Sequence, residues 1–415
     1  MKPNHRTKLE QAITMNGSKM FKLCVIAMIG LTLFTLTQVY YKLAIHLALL
    51  VLCFLFCGKA QKNTVAFIAM SIVVCVTFVC MSLMKGHGLI SEHIAFFIHY
   101  LTWPFLVVGV FHNFEKKEIK WLLYFVIVLC IIGNILSLIE LGKNPDIARL
   151  LAGEKLEGQK MYYLKRGVGG YGHVFGMTFL MFGAIRWLKN STNKKEKALL
   201  VVFLITDYLY IIYAAYTTAI TMVIVLTGLA IIAGMKSGSR IFVLVLAIVL
   251  VLVFANPILE FAHNLAQDLE LDWVAYRLGE IIDVEGGGDM SALRRYGLYK
   301  ESWDTFMLRP IFGAIQDKGD TWGSHSQILD AFAQYGLFAS ILLVFWNRCR
   351  KTCQKYIPNF KLGFFYIVFY VFATIDTCAA MQIPVIVFFV VPLIAYMESE
   401  GQLNENRDPN LSLGS

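Results

Sequence analysis

Charge is what this chain has least of. Only 16% of its 415 residues are Asp, Glu, Lys or Arg, where an ordinary soluble domain carries about 25%. Set beside 58% hydrophobic residues, that scarcity excludes a water-soluble globular protein. A disulfide framework is lacking too. Of the nine cysteines, Cys24, Cys53, Cys57, Cys75, Cys80, Cys130 and Cys378 lie within apolar runs, and none lies in either long polar loop. Cys349 and Cys353 have the wrong spacing for a CxxC pair and no His nearby, which argues against zinc. No small-residue cleavage site follows the first apolar run, so the basic start (Lys2, Arg6, Lys8, Lys19, Lys22) reads as the flank of a retained helix. No repeat of fixed period occurs, nor a soluble domain with an Asp-x-Asp pair for a sugar-nucleotide–metal complex. The glycine run between Lys165 and His173 has no strand before it and no acidic residue about 20 positions on, which excludes a dinucleotide loop.

Long apolar runs fill the chain instead, at the length a core of about 30 Å requires. They predict an all-α, polytopic integral membrane protein with about twelve transmembrane helices, at 22–37, 40–57, 65–84, 94–111, 120–140, 168–186, 198–215, 217–234, 240–256, 326–346, 362–378 and 380–397. The net charge of +9 follows the positive-inside rule better than a nucleic-acid role, because the basic residues fall in alternate short loops. The loop 257–325, between helices 9 and 10, carries twelve acidic residues against six basic ones. It and the loop 141–167 are therefore expected on the extracytoplasmic side, with both termini cytoplasmic. The expected units are thus 1–256 (membrane helices 1–9 with the loop 141–167), 257–325 (the large extracytoplasmic loop), 326–397 (helices 10–12) and a disordered cytoplasmic tail, 398–415.

Few polar residues stand out, and each carries two readings. Arg166, beside Lys165 at the mouth of a helix, is either a snorkelling interfacial residue or a ligand contact. Arg294 and Arg295 are either solvated positions on an amphipathic loop helix or forks for phosphate oxygens. His325, between Ser324 and Ser326, is either the neighbour of a helix cap or a base titrating near neutrality. Asp207, inside an apolar run, is either a functional carboxylate at membrane depth or a structural one bonded to Thr206, Tyr208 or Tyr210. Asp376 reads as structural. His46, His87, His93, His99, His173 and His263 lack any such context, and no metal site is expected.

From Ser291 to Trp346 the polar residues fall into an order. Arg295 is followed by Tyr299 at i+4 and Trp303 at i+8, then Pro310-Ile-Phe-Gly313, then Gly323-Ser-His325-Ser leading into Leu329-Asp330 and Tyr335-Gly336-Leu. This stretch resembles the O-antigen ligase/polymerase superfamily, whose members are Wzy-type repeat-unit polymerases and WaaL-type ligases. The resemblance implies glycosyl transfer from an undecaprenyl-pyrophosphate-linked oligosaccharide at the outer face of the bacterial cytoplasmic membrane, without metal or other cofactor. In that reading His325 is the base on the acceptor hydroxyl, favouring inversion. Arg295 and Arg166 stabilise the leaving pyrophosphate, and Lys165, Arg294 and Tyr299 assist in binding. Where many members have a Ser-Arg pair entering a middle helix, this chain reads Tyr216-Thr-Thr-Ala-Ile220, so another cation must take that load. Polymerisation into O-antigen or capsular polysaccharide is favoured, with membrane lipid and a chain-length regulator as partners. Ligation to lipid A core is the near alternative and secondary transport the distant one, the latter disfavoured because no inverted repeat appears.

Overall fold

The structure is a computed structural model. It describes residues 5–40, 43–56, 62–84, 90–144, 147–152, 157–232, 290–314, 322–323, 325–355, 357 and 362–405, with scattered positions from 260 to 279. Helix makes up 87% of it, and no strand occurs among the described residues, so the all-α expectation holds. In order the helices are α1 (His5–Leu33), α2 (Leu43–Phe56), α3 (Lys62–Met84), α4 (Ile90–Asn113), α5 (Lys116–Leu141), α6 (Ile147–Ala152), α7 (Glu157–Lys165), α8 (Tyr171–Asn190), α9 (Lys194–Ala214) and α10 (Thr217–Ile232). Then come α11 (Met290–Leu308), α12 (Gln327–Tyr335), α13 (Ser340–Gln354), α14 (Gly363–Ile375), α15 (Gln382–Val385) and α16 (Val391–Glu405). The expected span 240–256 and parts of the loop 257–325, among them 280–289 and 315–321, lie outside the described residues.

Among the described residues four helical segments are long and apolar enough to cross a membrane: His93–Asn113, Lys116–Leu141, Lys194–Ala214 and Gln327–Gln354. Other apolar helices are shorter. The 13 residues of α14 rise only about 20 Å at 1.5 Å per residue, because the chain breaks at Asp376. The run 326–346, read as one span, is two helices joined by a 3-10 turn at Gly336–Ala339.

Helix α8 is the centre of the bundle and packs against α9, α10, α15 and α16. Its residues Gly172 to Ala184 are buried on every side, as a helix apolar all round must be. Glycine is what admits its neighbour. A Cβ at Gly172 would lie 2.2 Å from Oε1 of Gln382, and one at Gly183 2.9 Å from Cδ1 of Ile394, the small-residue approach typical of membrane helix packing. Aromatic side chains fill the remaining core, with Tyr100, Trp346, Phe369 and Phe388 in mutual ring contact. By contrast, α3 and α9 turn Val73, Val76, Val201 and Ile205 outward, each more than 40% exposed, as a lipid-facing surface would.

Ion pairs fasten one end of the bundle. Lys22 of α1 meets Glu118 of α5 at 2.6 Å, and Arg186 of α8 meets Glu398 of α16 at 2.9 Å. Glu196 accepts from Trp187, Ser191, Tyr124 and Lys120, binding α5, α8 and α9 together. The other end is held by hydrogen bonds among broken helices, and Tyr299, Ser302, His325, Ser326 and Asp330 belong to it.

Candidate active site among the helix breaks

Ser326 caps α12, its Oγ accepting from the N–H of Leu329 at 3.0 Å. Asp330 answers one turn later, taking the N–H of Ser326 on Oδ2 at 2.9 Å. Its Oδ1 accepts from the hydroxyl of Ser302 in α11 at 2.6 Å, and Ser302 Oγ in turn accepts from the N–H of Gly323 at 2.9 Å. Two helices and the segment before α12 are thereby joined through one buried serine. Only glycine fits at 323, because a Cβ would stand 2.2 Å from the carbonyl oxygen of Leu298.

A second joint lies just below. Gly313 (φ +70°) and Gly336 (φ +59°) adopt backbone conformations that side chains resist. Their turns interlock, the N–H of Ala314 on the carbonyl of Ala333 and that of Leu337 on Pro310, both at 2.7 Å. The Pro-Ile-Phe-Gly and Tyr-Gly motifs are therefore a clamp between α11 and α12.

His325 sits at the first of these joints, next to the cap of α12. Its Nε2 is buried and has no hydrogen-bond partner among the described residues, which is uncommon for a buried polar atom. The ring lies 6.4 Å from that of Tyr299, tilted by 31°, and Asp330 places a carboxyl group beside it. A histidine with one free nitrogen and an acidic neighbour is equipped to accept a proton. Tyr299 itself donates to the carbonyl of Ile375 at 2.5 Å, so what it offers a ligand is its ring.

The frayed end of α14 completes the floor. Its last carbonyls need partners, and Asp376 finds one in the N–H of Gln327 at 3.2 Å. Tyr171, the first residue of α8, shares its hydroxyl between Asp376 Oδ1 (2.8 Å) and the carbonyl of Thr377 (2.6 Å). This agrees with the structural reading of Asp376. It also brings the start of α8, and hence Arg166 five residues earlier, to the same end of the bundle as His325.

Arg166 is half exposed and not free. Its Nη1 lies 3.0 Å from both oxygens of Glu140, which Lys143 also holds at 2.8 Å, and the guanidinium sits 4.5 Å over the ring of Tyr162. Lys165 is exposed beside it. Three cations against one carboxylate leave that corner positive. Arg294 and Arg295 fall in the first turns of α11, and their side chains lie outside the described residues. At the position of the missing Ser-Arg pair, Tyr216 donates its hydroxyl to the carbonyl of Ala148 at 2.6 Å.

Asp207 has none of the three partners its sequence neighbours suggested. Thr206 bonds back to Val202 and Phe203, Tyr208 pairs with Thr227, and Tyr210 donates to Gly169. Asp207 Oδ1 instead accepts from Asn134 Nδ2 at 3.2 Å, and Asn134 Oδ1 meets His173 Nε2 at 3.0 Å. All three are fully buried or nearly so, on α9, α5 and α8. The far atoms of this chain, Asp207 Oδ2 and His173 Nδ1, have no partner among the described residues. Sequence reading missed His173 and Asn134 because they lie 39 residues apart, and Asn134 lies 73 from Asp207. The available signal was a lone amide inside an apolar run. Among the described residues no group of three or more His, Cys, Asp or Glu is placed to hold a metal ion.

No protein-family model, no curated protein and no solved structure matches this chain.

Proposed function

We propose that this chain is a membrane glycosyltransferase that polymerises undecaprenyl-pyrophosphate-linked oligosaccharide repeat units into O-antigen or capsular polysaccharide, acting from the outer face of the bacterial cytoplasmic membrane. In this reading the bundle crosses the membrane about twelve times, with both termini cytoplasmic and the His325 end facing out. His325 takes the proton of the acceptor hydroxyl as that oxygen attacks the anomeric carbon. The bond to the pyrophosphate breaks on the opposite side, giving inversion. Arg295 bears the charge gathering on the leaving group, Arg166 and Lys165 draw the pyrophosphate in, and Arg294 and the Tyr299 ring line the approach. One observation supports this reading above the others: the buried, unpartnered Nε2 of His325, held in place by a joint that spends Ser302, Asp330 and Gly323.

Secondary transport has one observation in its favour, the Asp207–Asn134–His173 chain across three helices, since polar groups at membrane depth mark ion and proton paths. The deciding experiment is a gel of surface glycan from a deletion strain complemented with wild type, Arg295→Ala or His325→Ala. Glycan stopped at one repeat unit, restored by wild type alone, supports the polymerase. Long polymer left on its lipid carrier and absent from lipid A core means a ligase. An unchanged ladder in the deletion strain removes both.

A further inference from the structure

The face of α11 turned away from α12 is apolar along one line. Tyr296, Trp303 and Met307 are 66%, 50% and 58% exposed, at spacings of seven and four that stack them on one side of a helix. Leu308, Ile311 and Phe312 extend the line past the helix end at 81%, 58% and 60%. The ring of Phe312 stacks on that of Phe338 at 5.8 Å with planes 23° apart, and Phe338 and Leu337, at the entry to α13, are open as well. These side chains form one patch of a kind that proteins do not leave in water without a partner. It runs on into the exposed face of α13 at Val344, within the segment Gln327–Gln354 that is long and apolar enough to cross a membrane. One charge interrupts the line: Lys300, four residues after Tyr296 and seven before Met307, pairs with Asp304 at 2.6 Å.

Continuity with a spanning segment selects the occupant. We infer that the second half of α11 and the Pro310–Gly313 turn lie in the interfacial layer of the bilayer. Met307, Leu308, Ile311, Phe312 and Phe338 sit among the upper acyl chains, Trp303 sits at the headgroup boundary, where amphipathic rings collect, and Lys300 and Asp304 sit among the headgroups. Ser302 on the same helix is turned to α12 instead, where it bonds Asp330, so the lipid surface supports the helix that fixes the His325 loop. This inference stands apart from the glycosyltransferase reading.

The test is depth-dependent quenching in proteoliposomes of the full chain. Comparing wild type with Trp303→Phe isolates one fluorophore, because the other six of the seven tryptophans cancel in the difference. Lipids brominated high on the acyl chain should remove most of that difference, and acrylamide in water little. A tryptophan added by Phe312→Trp in the Trp303→Phe background should be quenched by bromines placed deeper, with blue-shifted emission. Circular dichroism of each variant checks the fold. Strong acrylamide quenching at both positions would place the patch in water and overturn the inference. Protection from both quenchers would mean that protein covers the patch, a second copy of the chain or another segment of it, and would overturn it as well.

Discussion

Ser302→Ala removes a hydroxyl that does two things at once. It donates to Asp330 at 2.6 Å and accepts from Gly323 at 2.9 Å, in a side chain with no exposure to solvent. A hydrogen bond to a charged group contributes about 1.5–3 kcal/mol and one between neutral groups about 0.5–1.5, so the joint between α11 and α12 loses about 2–4 kcal/mol. The bundle core is built from other helices, and the interlocked glycine turns still hold α11 against α12. The loss therefore falls on the loop that carries His325, and a displacement of about 1 Å at a reacting group costs on the order of 100-fold in rate. The expected result is a surface glycan shortened nearly as far as in His325→Ala, with the purified protein melting close to wild type in detergent. Asp330→Asn should act on the same joint, so the double variant should lose less than the sum of the two single losses. Wild-type glycan from Ser302→Ala, or losses that simply add, would refute the role assigned to this joint.

The other expectations separate stability from activity. Gly336→Ala forces a side chain into a backbone conformation that costs about 1–3 kcal/mol, with its Cβ also 2.5 Å from the carbonyl oxygens of Pro310 and Ile311. A lowered midpoint in denaturant melts is expected, and an unchanged one would contradict the clamp. Glu196→Ala leaves Lys120, Tyr124, Trp187 and Ser191 without their common acceptor at the other end of the bundle. It should cost about 1–3 kcal/mol for each buried donor left unsatisfied, Trp187 and Ser191, visible as a melting shift and as reduced protein in the membrane. Arg166→Ala should do the reverse. Its pair with Glu140 is half exposed and stabilises by under about 1 kcal/mol, so melting should hold while glycan extension falls. A glycan ladder that also holds would remove Arg166 from the site and leave it a snorkelling interfacial residue.

Much of the helical layout was legible because apolar runs report it directly: residues that are hydrophobic on all sides, as in α8, have nowhere to go but a core or a bilayer. What the runs did not report was where helices break. Gly336 and Asp376 interrupt segments whose hydropathy continues across them, since a carbonyl bonded to Gln327 or Tyr299 leaves no trace in local composition. The chemistry divided the same way. Gly323-Ser-His325-Ser was visible as a polar island, and so was its position before a helix. That Ser326 does the capping while His325 keeps a free nitrogen follows only from Ser302 and Asp330, on two different helices. Asp207 was noticed because a carboxylate in an apolar run is conspicuous, and its partners were misread because Asn134 and His173 come from distant helices.

The two polar systems differ in how their loose ends face the protein. Around His325, among the described residues, Ser302, Asp330, Gly323 and Ser326 are committed to one another, and Tyr299 and Gln327 to the end of α14. Nε2 has no partner among those residues, which is the arrangement a base needs to meet a substrate proton in a fixed direction. The Asp207 chain has a loose atom at each end, Oδ2 and the His173 Nδ1, with the amide of Asn134 fixed between them. An Asn amide donates on one side and accepts on the other, so Asn134 orients both neighbours by hydrogen bonding to each. Substituting Asn134 by Leu would therefore disturb Asp207 and His173 together, while Asp207→Asn keeps an acceptor for Nδ2 and should be tolerated. If both variants make normal glycan in membranes at normal protein levels, the deep chain is packing alone. If Asn134→Leu folds and yet stops synthesis, the deep chain acts on the reaction through α8, whose first residue, Tyr171, holds the end of α14 beneath His325.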